Sequence, residues 1–205
     1  MVDESNGRGE SRLPSRQPPL TGRRVRLRAI FPSDYDYLYA LATSEEMGYR
    51  WRFRGTSPSP EAFPQGLWHQ VLVQFIIERI ENGQRLGLVA AFDANERNGW
   101  CHIAMVLDPN VAGTGWALEA GSLFVNYLFM LFNFRKLYGE VPDFNYRDLM
   151  SGRNRFFREE GCLKDHEYHA GRYWDLHLVA VFREDWERDS LPLLRKLLKS
   201  GQDTG

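Results

Sequence analysis

The sequence predicts an α+β domain built around one mixed β-sheet. Three observations lead there: strand-like runs between residues 71 and 107 broken by short turn signals, helical spacing immediately after them, and strand-like runs again near the C-terminus. A length of 205 residues, 43% hydrophobic and 14% aromatic, suits one domain with a sizeable core.

Residues 1–20 are rich in Ser, Gly, Pro, Arg and Glu and are expected to form a disordered tail. The domain is expected over 21–188, with a C-terminal helix and tail over 189–205. Val25, Leu27 and Ala29 alternate with Arg24, Arg26 and Arg28, the period of a half-buried strand. Ser33 is the expected N-cap of a following helix, with Asp34 and Asp36 in its first turn. Residues 47–67 mix aromatics, arginines and prolines, which predicts a loop or a short helix with a loop.

Val71 to Ile80 is apolar and β-branched, and Asn82-Gly83 follows, a pair that tolerates the positive φ angles of a tight hairpin turn. Arg85 to Ala94 returns as a second strand, and Trp100 to Leu107 forms a third. Ala117, Ala120, Leu123, Phe124, Tyr127, Leu128 and Leu131 then lie on one helix face. Lys136 to Val141 is a short strand, and a polar helix is expected over 146–159. Two strands are expected near 165–169 and 173–182, joined by a turn at Ala170-Gly171, and an amphipathic helix over 191–198 closes the chain.

The formal net charge is −1, so no global field favours nucleic acid or an acidic membrane. Cys101 and Cys162 are the two cysteines, too few for a disulfide framework and without metal-ligand spacing. The N-terminus lacks the apolar run of a signal peptide, and no stretch is long enough to span a bilayer. The expectation is a cytoplasmic protein with no metal, no nucleic acid and no membrane among its partners.

The segment richest in chemical meaning is LDPNVAGTGWALEA, Leu107 to Ala120. A strand ends, Gly113 and Gly115 follow, and a long helix begins. The first amides of a helix have no internal partner and face the positive end of the dipole, an arrangement that suits a pyrophosphate. The competing reading is an ordinary strand-to-helix turn. A Walker loop is excluded because no Gly-Lys-Ser/Thr follows, and a hairpin meander is not the βαβ unit of a Rossmann fingerprint.

Asn110-x-x-Gly113-x-Gly115 at this junction resembles the signature of the GNAT superfamily. Glu119-Ala120, FNFRKLYGEV (Phe132 to Val141), Asn145 and Phe156 to Glu187 resemble its branch of ribosomal-protein N-terminal and spermidine acetyltransferases. The resemblance covers roughly Thr21 to Arg188. It implies a sheet made of an antiparallel meander and a splayed parallel pair, flanked by helices. It also implies acetyl-CoA, or another acyl-CoA, as co-substrate. The backbone of Ile103, Met105 and Leu107 would pair with the pantetheine arm. The amides of Ala112, Gly113, Thr114, Gly115 and Trp116 would hold the pyrophosphate. Asn145 would bond the pantetheine from the other side, and Arg153 or Arg155 would reach the 3′-phosphate.

Many relatives carry a basic Glu on the strand before the loop; that position here is His102, and imidazole's ordinary pKa of about 6.5 suits a base. Glu119 is the alternative base. The family's general-acid Tyr is replaced by Gly152, leaving Tyr146, Tyr168 or Tyr173 as spatial substitutes. For the acceptor, the resemblance points to Tyr35, Trp51, Arg52 and Phe53 in the first half and His166, Tyr168, Tyr173, Trp174 and Asp175 in the last hairpin. Aromatics with acids suit a cationic amine, whereas Arg50, Arg52 and Arg54 suit an acidic acceptor; the competing reading is core packing and solvated charge. The expected function is transfer of an acyl group, acetyl first, to a primary amine of a small molecule or a protein N-terminus. A non-catalytic acyl-CoA-binding module is the alternative. A homodimer is among the expectations.

Overall fold

A computed structural model describes residues 17–51, 54–111, 115–149 and 156–199. The tail expected over 1–20 falls mostly outside these residues. β1 (Val25–Arg28) leads through a 3₁₀ turn (Pro32–Asp34) to α1 (Tyr35–Thr43) and α2 (Phe63–Trp68). β2 (Val71–Arg79), β3 (Arg85–Asn95) and β4 (Trp100–Leu107) form the meander. α3 (Trp116–Leu131), β5 (Lys136–Pro142), α4 (Asp143–Leu149), β6 (Arg158–His169), β7 (Arg172–Phe182) and α5 (Leu191–Lys199) complete the described chain. A π-helical turn (Trp186–Ser190) leads into α5.

The seven strands form one sheet in the order β1-β2-β3-β4-β5-β7-β6, antiparallel except for β4 with β5. Alternation sends successive side chains to opposite faces. Val25, Leu27, Phe75, Ile77, Val89, Ala91 and Cys101 pack under α3 with Leu123, Phe124 and Leu128. Ile76 and Leu88 pack on the other face, beneath α1 and α2, with Leu38, Leu41, Trp51, Phe63 and Leu67.

Two expectations are corrected. Ser33 does not cap α1: the helix starts at Tyr35 with no side-chain cap, and Asp34 is buried against Arg28, whose two guanidinium nitrogens donate to it at 2.7 and 2.9 Å. A charge-assisted pair outweighs a helix-dipole contact. The polar helix expected to reach Glu159 does not do so: Arg158 and Glu159 already pair with Ala180 and Val179 in the sheet. β6 is an edge strand, and its many charged residues, which protect such an edge, hide its strand character in the sequence.

The strand pairing creates a split at the centre of the sheet. β4 and β5 pair only over Trp100–His102 and Lys136–Tyr138. Beyond His102, β4 stays with β3 as far as Leu107, while β5 stays with β7 as far as Pro142. Ala104 and Met105 are exposed although β4 is the middle strand of the sheet.

Candidate functional site

The split opens toward the N-terminus of α3. Gly115 precedes that helix in the left-handed region at φ 77°, a conformation glycine adopts without steric cost, and no side chain caps the helix. A Cβ at Gly115 would lie 3.1 Å from the Arg24 guanidinium, and the Arg79 guanidinium stands over the Trp116 ring at 5.4 Å. Uncapped first-turn amides stand at the start of α3 beside these two arginines, which also pair with carboxylates, Arg24 with Glu119 and Arg79 with Glu81. Ala112, Gly113 and Thr114 lie outside the described residues, as do Arg153 and Arg155. Asn110 keeps its amide and side chain on Asp108, at 3.0 and 2.8 Å.

On the other wall, α4 follows β5 directly. Asn145 Oδ1 is shut from solvent with no hydrogen-bond partner. An orphaned buried acceptor is costly, so this atom fits a donor supplied by a ligand, such as a pantetheine amide. Ile103, Met105 and Leu107 lie on the β4 segment that β5 has left. The described residues therefore fit the arm of an acyl-CoA.

His102 stands at the apex, the last β4 residue paired with β5, opposite Tyr138. Its ring is held by Phe92, Trp100 and Tyr138, with centroids 5.7, 5.5 and 5.7 Å away. Nδ1 is buried without a partner, whereas Nε2 lies 3.6 Å from Glu140 Oε1. Glu140 continues from Tyr138 on the same face of β5, in reach of Arg54 Nη2 at 3.8 Å. The same Arg54 nitrogen lies 3.3 Å from Glu167, whose other oxygen accepts from the Tyr49 hydroxyl at 2.9 Å. Burial, and then the bond to Glu167, raises the Tyr49 phenol above its ordinary pKa. His169, Phe144 and Trp174 extend this wall: Tyr49 stacks on His169 at 3.8 Å, and Phe144 meets His169 and Trp174 at 5.2 Å each.

Several sequence-predicted residues are elsewhere. Glu119 is buried at 3% exposure, and its carboxylate accepts from the backbone amides of Arg23, Arg24 and Val25. It ties the start of β1 to α3, and that work replaces the base role. Trp51 is 1% exposed, a core residue beneath α1 and α2. Tyr168 and Tyr173 pair with each other at the hairpin tip, 60% and 61% exposed, on the face opposite Glu167 and Trp174. Tyr173 also lies seven residues along β7 from Ala180, which is level with Tyr138, on the order of 20 Å away. It is too far from the apex to act as acid there. Asp175 faces away from Trp174 as well and pairs with Lys164 at 2.6 Å. Tyr146 gives its hydroxyl to Glu159 at 2.8 Å. Arg52 and Phe53 lie outside the described residues. Trp174 and Arg54 are acceptor candidates that the structure brings into the wall.

Sequence reasoning missed Glu140, Glu167, Tyr49 and Tyr138 as site residues. Alternation along LYGEV carried a signal for two of them, since it puts Tyr138 and Glu140 on one face of β5. Cys101 is wholly buried and its thiol is pushed up to about 12 by that burial, so it supplies no thiolate nucleophile. Among the described residues, no group of three or more His, Cys, Asp or Glu is placed to hold a metal ion.

A second cleft, about 320 Å³, opens between α1 and the end of β4, lined by Tyr37, Leu41, Ser44, Glu46, Asp108 and Asn110.

Comparison with known proteins gives a family, two relatives and two solved structures. The family described as acetyltransferase (GNAT) domain matches residues 24–148. Spermidine N(1)-acetyltransferase of Escherichia coli (strain K12) is 22% identical over 165 residues, covering 79% of this chain and 88% of that protein. An uncharacterised N-acetyltransferase, p20, of Bacillus licheniformis is 26% identical over 92 residues, 45% of this chain and 52% of its own. Among solved structures, spermidine N-acetyltransferase from Vibrio cholerae in complex with CoA and spermine superposes with a TM-score of 0.71 at 20% identity, covering 80% of this chain and 98% of the other. A GNAT-family acetyltransferase from Bacillus anthracis gives 0.65 at 17% identity, covering 80% and 98%.

Proposed function

The chain belongs to the GNAT acetyltransferase family, and on that premise we propose that it moves an acetyl group from acetyl-CoA to a primary amine by direct attack. The observation that carries this reading is the split between β4 and β5 after His102 and Tyr138, with uncapped α3 amides at its mouth. The exposed edge of Ile103, Met105 and Leu107 would take the pantetheine arm as an added strand. Amides from Ala112 through Gly113, Thr114 and Gly115 to Trp116 would hold the pyrophosphate, and Asn145 Oδ1 would accept from a pantetheine amide. Arg153 is assigned to the 3′-phosphate.

His102 acts as base through Nε2, the nitrogen that faces Glu140 and the acceptor wall. It takes the amine proton as the new N–C bond forms and the thioester C–S bond breaks. Tyr138, beside His102 on the same face and hydrogen-bonded with Glu160 and Lys136, is assigned the proton that the departing thiolate needs. Glu140, Glu167 and the aromatic wall of Tyr49, Phe144 and Trp174 suit a cationic acceptor. The spermidine acetyltransferases among the relatives support a small cationic amine over a protein N-terminus. Two free cysteines, one of them buried, suit a reducing cytoplasm. A dodecameric neighbour from Vibrio cholerae supports self-association, for which a homodimer is the minimal form.

Thiol release on mixing protein, acetyl-CoA and a panel of amines tests the reading. Release with at least one small amine is expected. Acetyl-CoA binding with no release across the panel would instead make the chain an acyl-CoA-binding module.

A further inference from the structure

Arg54 sits in the loop between α1 and α2 with its backbone in the left-handed region at φ 49°, followed by Gly55 at φ 84°. Its Nη2 lies between two carboxylates from different strands, 3.3 Å from Glu167 of β6 and 3.8 Å from Glu140 of β5. The other oxygens of these carboxylates are also committed. Glu140 Oε1 faces His102 Nε2 at 3.6 Å, and Glu167 Oε2 accepts from Tyr49 at 2.9 Å. Two anions thus share one guanidinium on the wall where His102 presents its ring. The Arg54 side chain is 39% exposed and that of Glu140 is 42% exposed, so dissolved amines can reach both.

We propose that Arg54 is a built-in counter-ion of the acceptor site, holding between Glu140 and Glu167 the place that a second ammonium of the acceptor would otherwise take. The inference rests on the amine-acceptor reading above. Its consequence is selectivity by charge. An acceptor with one amine enters without disturbing the Glu140–Arg54–Glu167 bridge. An acceptor with further ammonium groups must displace the guanidinium or bind beside it against like-charge repulsion. Arg54 therefore works against polycationic acceptors at a wall whose carboxylates would favour them.

The test compares the wild type with Arg54→Gln and Arg54→Lys by calorimetric titration of a monoamine, an α,ω-diamine and a linear triamine in the presence of CoA. Removing the guanidinium is expected to tighten triamine binding about tenfold and to change monoamine binding by no more than about twofold. Arg54→Lys keeps the charge and is expected to keep the wild-type pattern. Adding Glu167→Gln to Arg54→Gln should abolish the gain. Equal changes for all three amines, or weaker triamine binding in Arg54→Gln, would overturn the counter-ion role. Acetyl transfer measured on the same panel separates the two ideas: if no variant transfers acetyl to any amine, the transferase reading falls while the titrations still decide Arg54.

Discussion

The imidazole of His177 lies flat on the phenol ring of Tyr146, with centroids 3.8 Å apart and planes 6° from parallel. His177 Nδ1 is 2.9 Å from Glu159 and Nε2 is 3.2 Å from Asp143, while the Tyr146 hydroxyl donates to Glu159 at 2.8 Å. Asp143 and Tyr146 belong to α4, Glu159 to β6 and His177 to β7, so this cluster docks the helix that carries Asn145. Replacing His177 with Ala removes the stack and both polar contacts. Stability should fall by about 1–3 kcal/mol, and acetyl-CoA should bind more weakly because α4 no longer fixes Asn145. Thermal melts and calorimetric titration check both; a lowered melting point with unchanged acetyl-CoA affinity would separate α4 docking from the cofactor.

Gly115 offers a sharper probe of the split's mouth. A side chain there must accept a left-handed backbone and a contact with Arg24, so Gly115→Ala should cost about 1–2 kcal/mol. It should also weaken acetyl-CoA binding while leaving the affinity for amine acceptors unchanged. Titrating each co-substrate against the variant distinguishes this from general unfolding, which would weaken both.

The meander was legible because local signals decide it. Asn82-Gly83 marks the turn, with Gly83 at φ 71°, and Val71 to Leu107 alternates or runs apolar as the sheet requires. The Ala170-Gly171 turn was legible for the same reason, both residues having positive φ. The split was not, since nothing local in Ile103 to Leu107 says that β5 leaves after Tyr138; only the family resemblance supplied it. The hairpin residues failed on parity. A register irregularity between Leu163 and Glu167 and the two-residue strand period put Glu167 and Trp174 on the acceptor wall and Tyr168, Tyr173 and Asp175 on the other face. Arg54, Glu140 and Glu167 meet across long stretches of chain, and no spacing rule brings them together. Trp51, which the resemblance offered for the acceptor, fills the core, as the competing reading of these aromatics had it.

The proposed division of the proton transfers between His102 and Tyr138 predicts variants that differ in kind. His102→Ala should lower kcat by about 10²–10⁴ with little change in acetyl-CoA affinity. Tyr138→Phe should lower kcat less for acyl donors whose leaving thiol is more acidic, because such a thiolate needs less help to depart. A His102→Ala enzyme with wild-type kcat would shift the base role to Glu140, which Glu140→Gln then tests.

Asp34 links the fold's stability to pH. It is 1% exposed and accepts from Arg28 and from the Phe31 amide, with Arg85 Nε 3.1 Å away. The hydrogen bond from Arg28 holds its carboxyl below the usual carboxylate range against the opposing effect of burial. At Glu78, burial pushes the carboxyl up, but Arg28 and Arg26 outweigh it and the group is also lowered. A carboxylate whose folded pKa is depressed stabilises the fold fully above its unfolded value, about 4, and loses that contribution as pH falls through the lower folded value. Asp34→Asn leaves Arg28 with Glu78 as its remaining carboxylate and takes the Asp34 carboxylate from Arg85, and should cost about 3 kcal/mol at neutral pH. The gap in melting temperature between wild type and Asp34→Asn should be widest above about pH 5 and narrow progressively below about pH 4. A gap that stays constant down to strongly acidic pH would mean that the loss comes from how the substituted amide packs and not from the missing ionised carboxylate.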